Sequence, residues 1–207
     1  MKKALVLGAS GFIGSHLEHR LKAEGHFVVS VSRHRPRYRE SVADEYNVFD
    51  LTQTTEKHHY FYRYEYDEVY QLAGEVGGLT YIAAGANDAT IMSRSVQINL
   101  NLLEAMKMYG AGKIFFASSA CIYPDTYYRP SEAEYDLLDH AYLKPNDGAT
   151  PEHAAYPANP PYEFGWEKLF SERLYEAYAR CHNVEIAIGR LGNTYGPYCA
   201  WHGPRAK

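Results

Sequence analysis

Short apolar runs alternate with longer amphipathic stretches along the chain. Ala4-Leu5-Val6-Leu7 predicts a buried strand, and Phe12–Glu24 a helix with Ile13, Leu17 and Leu21 on one face. Phe27–Val31 predicts a second strand, Asn47–Phe49 a short third, and Glu68–Ala73 a fourth anchored by Val69 and Leu72. Ile91–Met108 predicts a long helix striped by Ile98, Leu102 and Met106, followed by a fifth strand at Lys113–Ala117. Gly165–Arg180 predicts a second long helix in which Trp166, Leu169, Leu174 and Tyr178 recur, and Val184–Gly189 a sixth strand. This order predicts an α/β fold, a doubly wound parallel sheet of the Rossmann kind. Pro124–Pro161, rich in Pro, Asp, Glu and Ala, breaks the rhythm. It reads as an excursion at the carboxyl end of the fifth strand, where ligands bind in such sheets.

Composition narrows the function classes. The 207 residues are 46% hydrophobic, and 21 Lys+Arg face 25 Asp+Glu for a net charge of −4. A chain of this kind can bury a core, so disorder is excluded, and it has no basic excess for a nucleic-acid face. No apolar run reaches the roughly 18 residues of a membrane span. Met1-Lys2-Lys3 leads straight into the first strand, which predicts no signal peptide. Cys121, Cys181 and Cys199 form no CxxC pair, and the ten His show no zinc spacing. The expectation is a cytoplasmic protein without a structural metal. Among 20 Tyr, five crowd together at Tyr60, Tyr62, Tyr64, Tyr66 and Tyr70, and they read as a surface cluster.

The first candidate chemistry is Gly8-Ala9-Ser10-Gly11-Phe12-Ile13-Gly14, between the first strand and the first helix. Glycines permit a tight turn and close approach of backbone to a pyrophosphate. The helix N-terminus adds N–H donors and partial positive charge. These seven residues predict a dinucleotide site. The GxxGxxG spacing resembles the extended short-chain dehydrogenase/reductase superfamily. An NAD site expects an acid at the end of the second strand, to bond the ribose hydroxyls. Here that strand ends Ser30-Val31-Ser32-Arg33, with no acid. Ser32 and Arg33 suit a 2′-phosphate, so NAD and NADP both stay open. The resemblance implies that Asp50 contacts the adenine, with Leu51, Leu72 and Ala73 beside the cofactor.

The second is a set of three segments in superfamily order. Ser118-Ser119-Ala120-Cys121-Ile122-Tyr123-Pro124 ends the fifth strand, Phe164-Gly165-Trp166-Glu167-Lys168 opens the later helix, and Asn193-Thr194-Tyr195-Gly196-Pro197 ends the sixth strand. With Val76-Gly77-Gly78, Gly-Trp-Glu-Lys-Leu-Phe-Ser-Glu-Arg and Trp201-His202-Gly203-Pro204-Arg205-Ala206-Lys207, they resemble the GDP-mannose 3,5-epimerases. That resemblance runs from the glycine loop to the last residue and is strongest after Glu68.

The resemblance implies a nucleotide-sugar substrate of the GDP-hexose class. The sugar is oxidised at C4, protons at C3 and C5 become acidic, a Cys and a Lys exchange them, and C4 is reduced again. Cys121 and Lys207 match that Cys and Lys. Ser119 matches the catalytic serine and Lys168 the lysine that holds the nicotinamide ribose. Gly77, Gly78, Ser119, Cys121 and Asn193 match positions around the sugar nucleotide. The superfamily also forms dimers through its two long helices, so a homodimer is expected. Inverting a carbon centre requires two acid/base groups on opposite faces, and Cys and Lys can both be tuned toward neutral pH.

Two departures qualify the expectation. The superfamily's catalytic Tyr, four residues before Lys168, is here Phe164, and a phenyl ring transfers no proton. Tyr162 is two residues away, roughly 200° around a helix. Relatives also continue into a smaller substrate-binding domain, so residues 1–207 read as one NAD(P)-binding domain cut before it, with impaired turnover. The alternatives are a GDP-fucose synthase-like enzyme, another sugar-nucleotide epimerase or dehydratase, and a catalytically inactive dinucleotide-binding module.

Overall fold

The computed structural model describes residues 1–53, 63–124 and 151–199. Its strands are apolar because both faces of the sheet are covered: Ala4 to Leu7 and Val28 to Val31 are all buried. The described strands are β1 (Lys3–Leu7), β2 (Phe27–Ser32), β3 (Glu45–Val48), β4 (Glu68–Gln71), β5 (Lys113–Ser119) and β6 (Glu185–Leu191). They pair in the order β3-β2-β1-β4-β5-β6, every pair parallel. The described helices are α1 (Phe12–Ala23), α2 (Leu79–Ile82), α3 (Asp88–Tyr109) and α4 (Glu163–His182). None of them is long and apolar enough to cross a membrane.

This is the doubly wound Rossmann arrangement that the alternation predicts, with its strand order reversing between β1 and β4. One core lies under α3 and α4 and joins Leu5, Leu7, Val29, Leu102, Met106 and Tyr175. Within it the rings of Phe116 and Tyr175 stack with centroids 4.5 Å apart. The other face buries Ala4, Val6, Val28 and Leu21.

Three expectations are corrected. The third strand is Glu45–Val48 rather than Asn47–Phe49. It is an edge strand paired from Val29↔Glu45 to Ser32↔Val48, with Val48 exposed. An edge position asks for backbone pairing more than for apolar side chains, so the apolar pair at Val48 and Phe49 misplaced it. On α4 the predicted apolar stripe holds except at its first member: Leu169 is buried and Leu174 and Tyr178 pack against the main core, but Trp166 is 40% exposed, and the polar Glu167, Lys168, Ser171 and Glu172 share the buried face. Those polar groups pair with one another and with neighbouring strands, which offsets the cost of their burial. The Tyr cluster is not all surface either. Tyr66 is buried in the main core, and Tyr64 packs edge-on against Phe27 at 5.2 Å. Tyr60 and Tyr62 lie outside the described residues.

Candidate active site

A cleft of ≈ 380 Å³ opens at the carboxyl ends of β1 and β4, where the strand order reverses. The loop Gly8–Gly14 forms one wall. Gly14 packs so tightly that a β-carbon there would lie 2.3 Å from the Gly8 carbonyl oxygen. Only glycine lets α1 start this close to β1. Among the described residues no side chain caps α1, and its first turn carries no acid. Its leading N–H groups, which have no partner within the helix, therefore stay available to an anion. This is the cradle a dinucleotide's pyrophosphate requires, and the residues fit that group.

The other expected cofactor residues converge here. Ser32, Arg33, Asp50, Leu51, Leu72 and Ala73 all line the cleft, and so does Gly77 of the expected substrate set. Ser32 Oγ accepts from both the N–H and the hydroxyl of Ser10, each at 3.0 Å, tying β2 to the glycine loop. Asp50 takes hydrogen bonds from the Thr52 N–H at 3.0 Å and hydroxyl at 2.8 Å, and from Arg94 Nη2 at 2.8 Å. Burial alone pushes its carboxyl up. The Thr52 and Arg94 bonds outweigh that and hold it below the usual carboxylate range.

Sequence reasoning missed Glu75 and Arg94 in this cleft. Glu75 is buried, and its Oε2 stands 3.4 Å from Arg94 Nε and 3.5 Å from Arg33 Nη1. Arg94, from α3, thus spans Asp50 and Glu75. The available signal was an acid inside the glycine-rich run Gly74-Glu75-Val76-Gly77-Gly78, immediately after the strand at the reversal point.

The second group of residues sits where β5 meets α4. Ser119 ends β5, and its hydroxyl oxygen accepts the Cys121 N–H at 3.2 Å, capping a single 3-10 turn at Ala120–Ile122. Gly165 presses α4 onto that turn: a β-carbon there would lie 2.2 Å from the Cys121 carbonyl oxygen. Lys168 follows one turn later. Its ammonium donates to the Ala117 carbonyl at 3.1 Å and stands 4.9 Å from the Phe116 ring centre. It also reaches the cleft wall, 3.8 Å from where a β-carbon of Gly74 would be. Glu167 Oε2 lies 3.8 Å from the same ammonium and is otherwise without a hydrogen-bond partner among the described residues. Phe164 is buried with Ile82 and Ile91, and Cys121, Tyr81 and Tyr162 pack against that cluster. Tyr162 precedes α4 as its N-cap residue, in extended conformation, so the helical 200° offset does not apply to it.

A buried charge network fixes this junction. Glu172 on α4 accepts the Ser118 hydroxyl from β5 and pairs with Arg190 on β6, through Nη2 at 2.8 Å and Nε at 3.1 Å. Arg190 also donates to the Glu152 carbonyl at 2.6 Å and to the Tyr123 hydroxyl at 3.3 Å. A second network joins Gln71, Asn99 and Ser171 across the sheet and both long helices.

Of the expected substrate residues, Gly78, Ser119, Cys121 and Asn193 are not part of the cleft lining; Ser119 and Cys121 belong to the β5–α4 junction. Gly78 is the N-cap of α2. Asn193 lines a separate depression of ≈ 550 Å³ with Phe12, Ile13 and His16. Lys207 lies outside the described residues.

Residues 4–206 match the NAD dependent epimerase/dehydratase family. The chain is 34% identical over 215 residues to a GDP-mannose 3,5-epimerase of Arabidopsis thaliana, covering 99% of this chain and 50% of that protein. It is 27% identical over 201 residues to a GDP-L-fucose synthase of Escherichia coli (strain K12), covering 97% and 53%. Among solved structures, the UDP-glucose 4-epimerase of Thermus thermophilus in complex with NAD is similar, with a TM-score of 0.72 and 25% identity over 97% of this chain and 58% of that one. The chain spans about half the length of the curated relatives it matches.

Proposed function

The chain belongs to the NAD dependent epimerase/dehydratase family, and on that premise we propose that residues 1–207 form the dinucleotide-binding domain of a sugar-nucleotide epimerase of the GDP-mannose 3,5-epimerase kind. The observation that carries the reading is the cleft at the β1/β4 reversal, into which the uncapped first turn of α1 opens beside the glycine loop. Gly8, Ser10, Gly11, Phe12, Ile13 and Gly14 would hold the pyrophosphate, Asp50 and Leu51 the adenine, and Lys168 the nicotinamide ribose. The dinucleotide supplies reversible hydride exchange at the sugar's C4.

The chain's own residues do the rest. Ser119 stands at the tip of β5, where its hydroxyl oxygen accepts the Cys121 N–H, and its hydroxyl proton would meet a sugar oxygen. Once C4 is a ketone, the neighbouring C–H protons are acidified. Cys121 removes and returns a proton from one face, and Lys207 does so from the other. Phe164 offers no phenol for the C4 hydroxyl, so this chain turns over slowly. The substrate proposed is a GDP-hexose. The dimer runs through α3 and α4, a reading supported by the exposed apolar Trp166 and Phe170 on α4. The compartment is the cytoplasm, in keeping with the free thiols of Cys121 and Cys181.

Two measurements test the reading. Denaturing the purified protein and weighing any released nucleotide should give NAD or NADP. Incubation with GDP-mannose in heavy water should place deuterium at C3 and C5 without net cofactor consumption. Net oxidation of one cofactor per turnover would move the assignment to a GDP-fucose synthase-like enzyme. Dinucleotide binding with no exchange, even with Tyr at position 164, would leave an inactive binding module, the second reading that Phe164 favours. No released nucleotide, and no binding on titration, would overturn the proposal.

A further inference from the structure

We infer that Glu75 decides between NAD and NADP by engaging Arg33 and placing a fixed carboxylate at the adenosine end of the cleft. The inference rests on the dinucleotide reading above. Arg33 follows β2 at a position where no acid is present, and taken alone it would receive a 2′-phosphate. The structure gives it a different partner. Glu75 enters from the loop after β4, on the other side of the glycine loop, and its Oε2 lies 3.5 Å from Arg33 Nη1.

Glu75 has little freedom to withdraw. Its side chain is 5% exposed. Its N–H is bonded to Ser95 Oγ at 3.0 Å, its Oε1 accepts the Tyr81 hydroxyl at 3.1 Å, and its Oε2 also faces Arg94 Nε at 3.4 Å. Arg94 is held in turn by Asp50 at 2.8 Å. Two guanidinium groups and two carboxylates therefore meet at this wall, and their formal charges cancel.

The consequence depends on what the ribose carries. A 2′-phosphate brings about two negative charges at neutral pH. It competes with Glu75 for Arg33, and it faces a carboxylate in a partly buried site where repulsion is poorly screened. A ribose hydroxyl carries a donor, which a carboxylate accepts. The acid absent from the end of β2 is thus supplied from β4, and the wall selects NAD.

Calorimetric titration of the purified chain with NAD and with NADP tests this, using the wild type, Glu75→Gln, Arg33→Met and the double variant. Gln keeps the shape and can still accept from Tyr81. The wild type should prefer NAD by at least about tenfold. Glu75→Gln should tighten NADP by about tenfold or more, the scale of one charge-assisted contact, and change NAD by less than about threefold. Adding Arg33→Met should cancel that gain. Arg33→Met alone should change NADP affinity by less than about threefold, and it carries the test if circular dichroism shows Glu75→Gln unfolded. Wild-type preference for NADP, an unchanged ratio in Glu75→Gln, or a loss of about tenfold in NADP binding from Arg33→Met alone would each overturn the inference and leave dinucleotide binding standing. Binding of neither nucleotide by any variant would overturn both.

Discussion

The Lys168 ammonium stands 5.8 Å from the centre of the Phe164 ring, one helical turn away on α4. The same ammonium faces the Phe116 ring at 4.9 Å and donates to the Ala117 carbonyl. On the proposed reading this lysine would act on an oxygen at position 164, and the ring there has none.

Phe164→Tyr should therefore raise turnover by at least about a hundredfold, the usual contribution of a positioned proton-transfer group. Phe164 is 8% exposed, so the added hydroxyl enters a largely closed site beside Lys168. The check is the rate of deuterium uptake by GDP-mannose in heavy water for the two proteins. Equal rates would remove a phenol at position 164 from the chemistry and turn attention to Tyr162, which packs on the same cluster.

Gly165 makes a second prediction about the same junction. Its missing β-carbon is what admits the Cys121 carbonyl, and backbone cannot move aside as a flexible side chain can. Gly165→Ala should cost about 1–3 kcal/mol, as overpacking of a tight contact does. Urea unfolding should show a lower midpoint at unchanged slope. An unchanged midpoint would mean that α4 and the Ala120–Ile122 turn separate at no cost, and that Ser119 and Lys168 are not held in register by this contact.

Much of this was legible in the sequence. Runs such as Ala4–Leu7 and Phe27–Val31 are apolar because they are buried on both faces, so the sheet could be read directly, and the glycine spacing placed the first helix. The family resemblance carried by the Ser119, Cys121 and Lys168 segments agrees with the match over residues 4–206. What escaped was polar. The buried face of α4 carries Glu167, Lys168, Ser171 and Glu172 beside the apolar Phe164, Leu169 and Tyr175, and apolar periodicity found Leu169 but not those polar residues, and it placed the exposed Trp166 on that face. Glu75 and Arg94 escaped for a similar reason. Their pairing spans 19 residues of sequence between a loop and a helix, and no local pattern announces it.

Asp50 gives the cleft a pH signature. Its folded-state value lies below the ordinary aspartate value of about 3.9. A carboxyl with a depressed value stabilises the folded state fully above its unfolded value and loses that contribution as pH falls through the folded one. The stability gap between the wild type and Asp50→Asn should thus be constant from pH 7 to about pH 5 and shrink below about pH 4. Thermal melts across that range check it. A gap that persisted undiminished at pH 3 would show that the ionised carboxylate is not what Thr52 and Arg94 hold.

The Glu172–Arg190 pair makes the most demanding prediction, because it separates the value of a bond from the cost of breaking it. Glu172 has a side chain 4% exposed, and Arg190 one 21% exposed. Removing one partner leaves a charge stranded where water cannot reach it well, which costs about 3–5 kcal/mol for buried pairs. Removing both strands no charge. Glu172→Gln and Arg190→Met should therefore each be strongly destabilising, and the double variant should be less so than the sum by more than about 1 kcal/mol. Ser118 adds a further reading, since its hydroxyl donates to Glu172 from the strand that ends in Ser119. If the network positions the end of β5, Glu172→Gln should also weaken dinucleotide binding at a temperature where the protein is still folded, and Ser118→Ala should follow it in smaller measure. Simple additivity of the two charge deletions would mean that solvent satisfies each partner alone, and that the junction of β5, α4 and β6 is held by its apolar contacts instead.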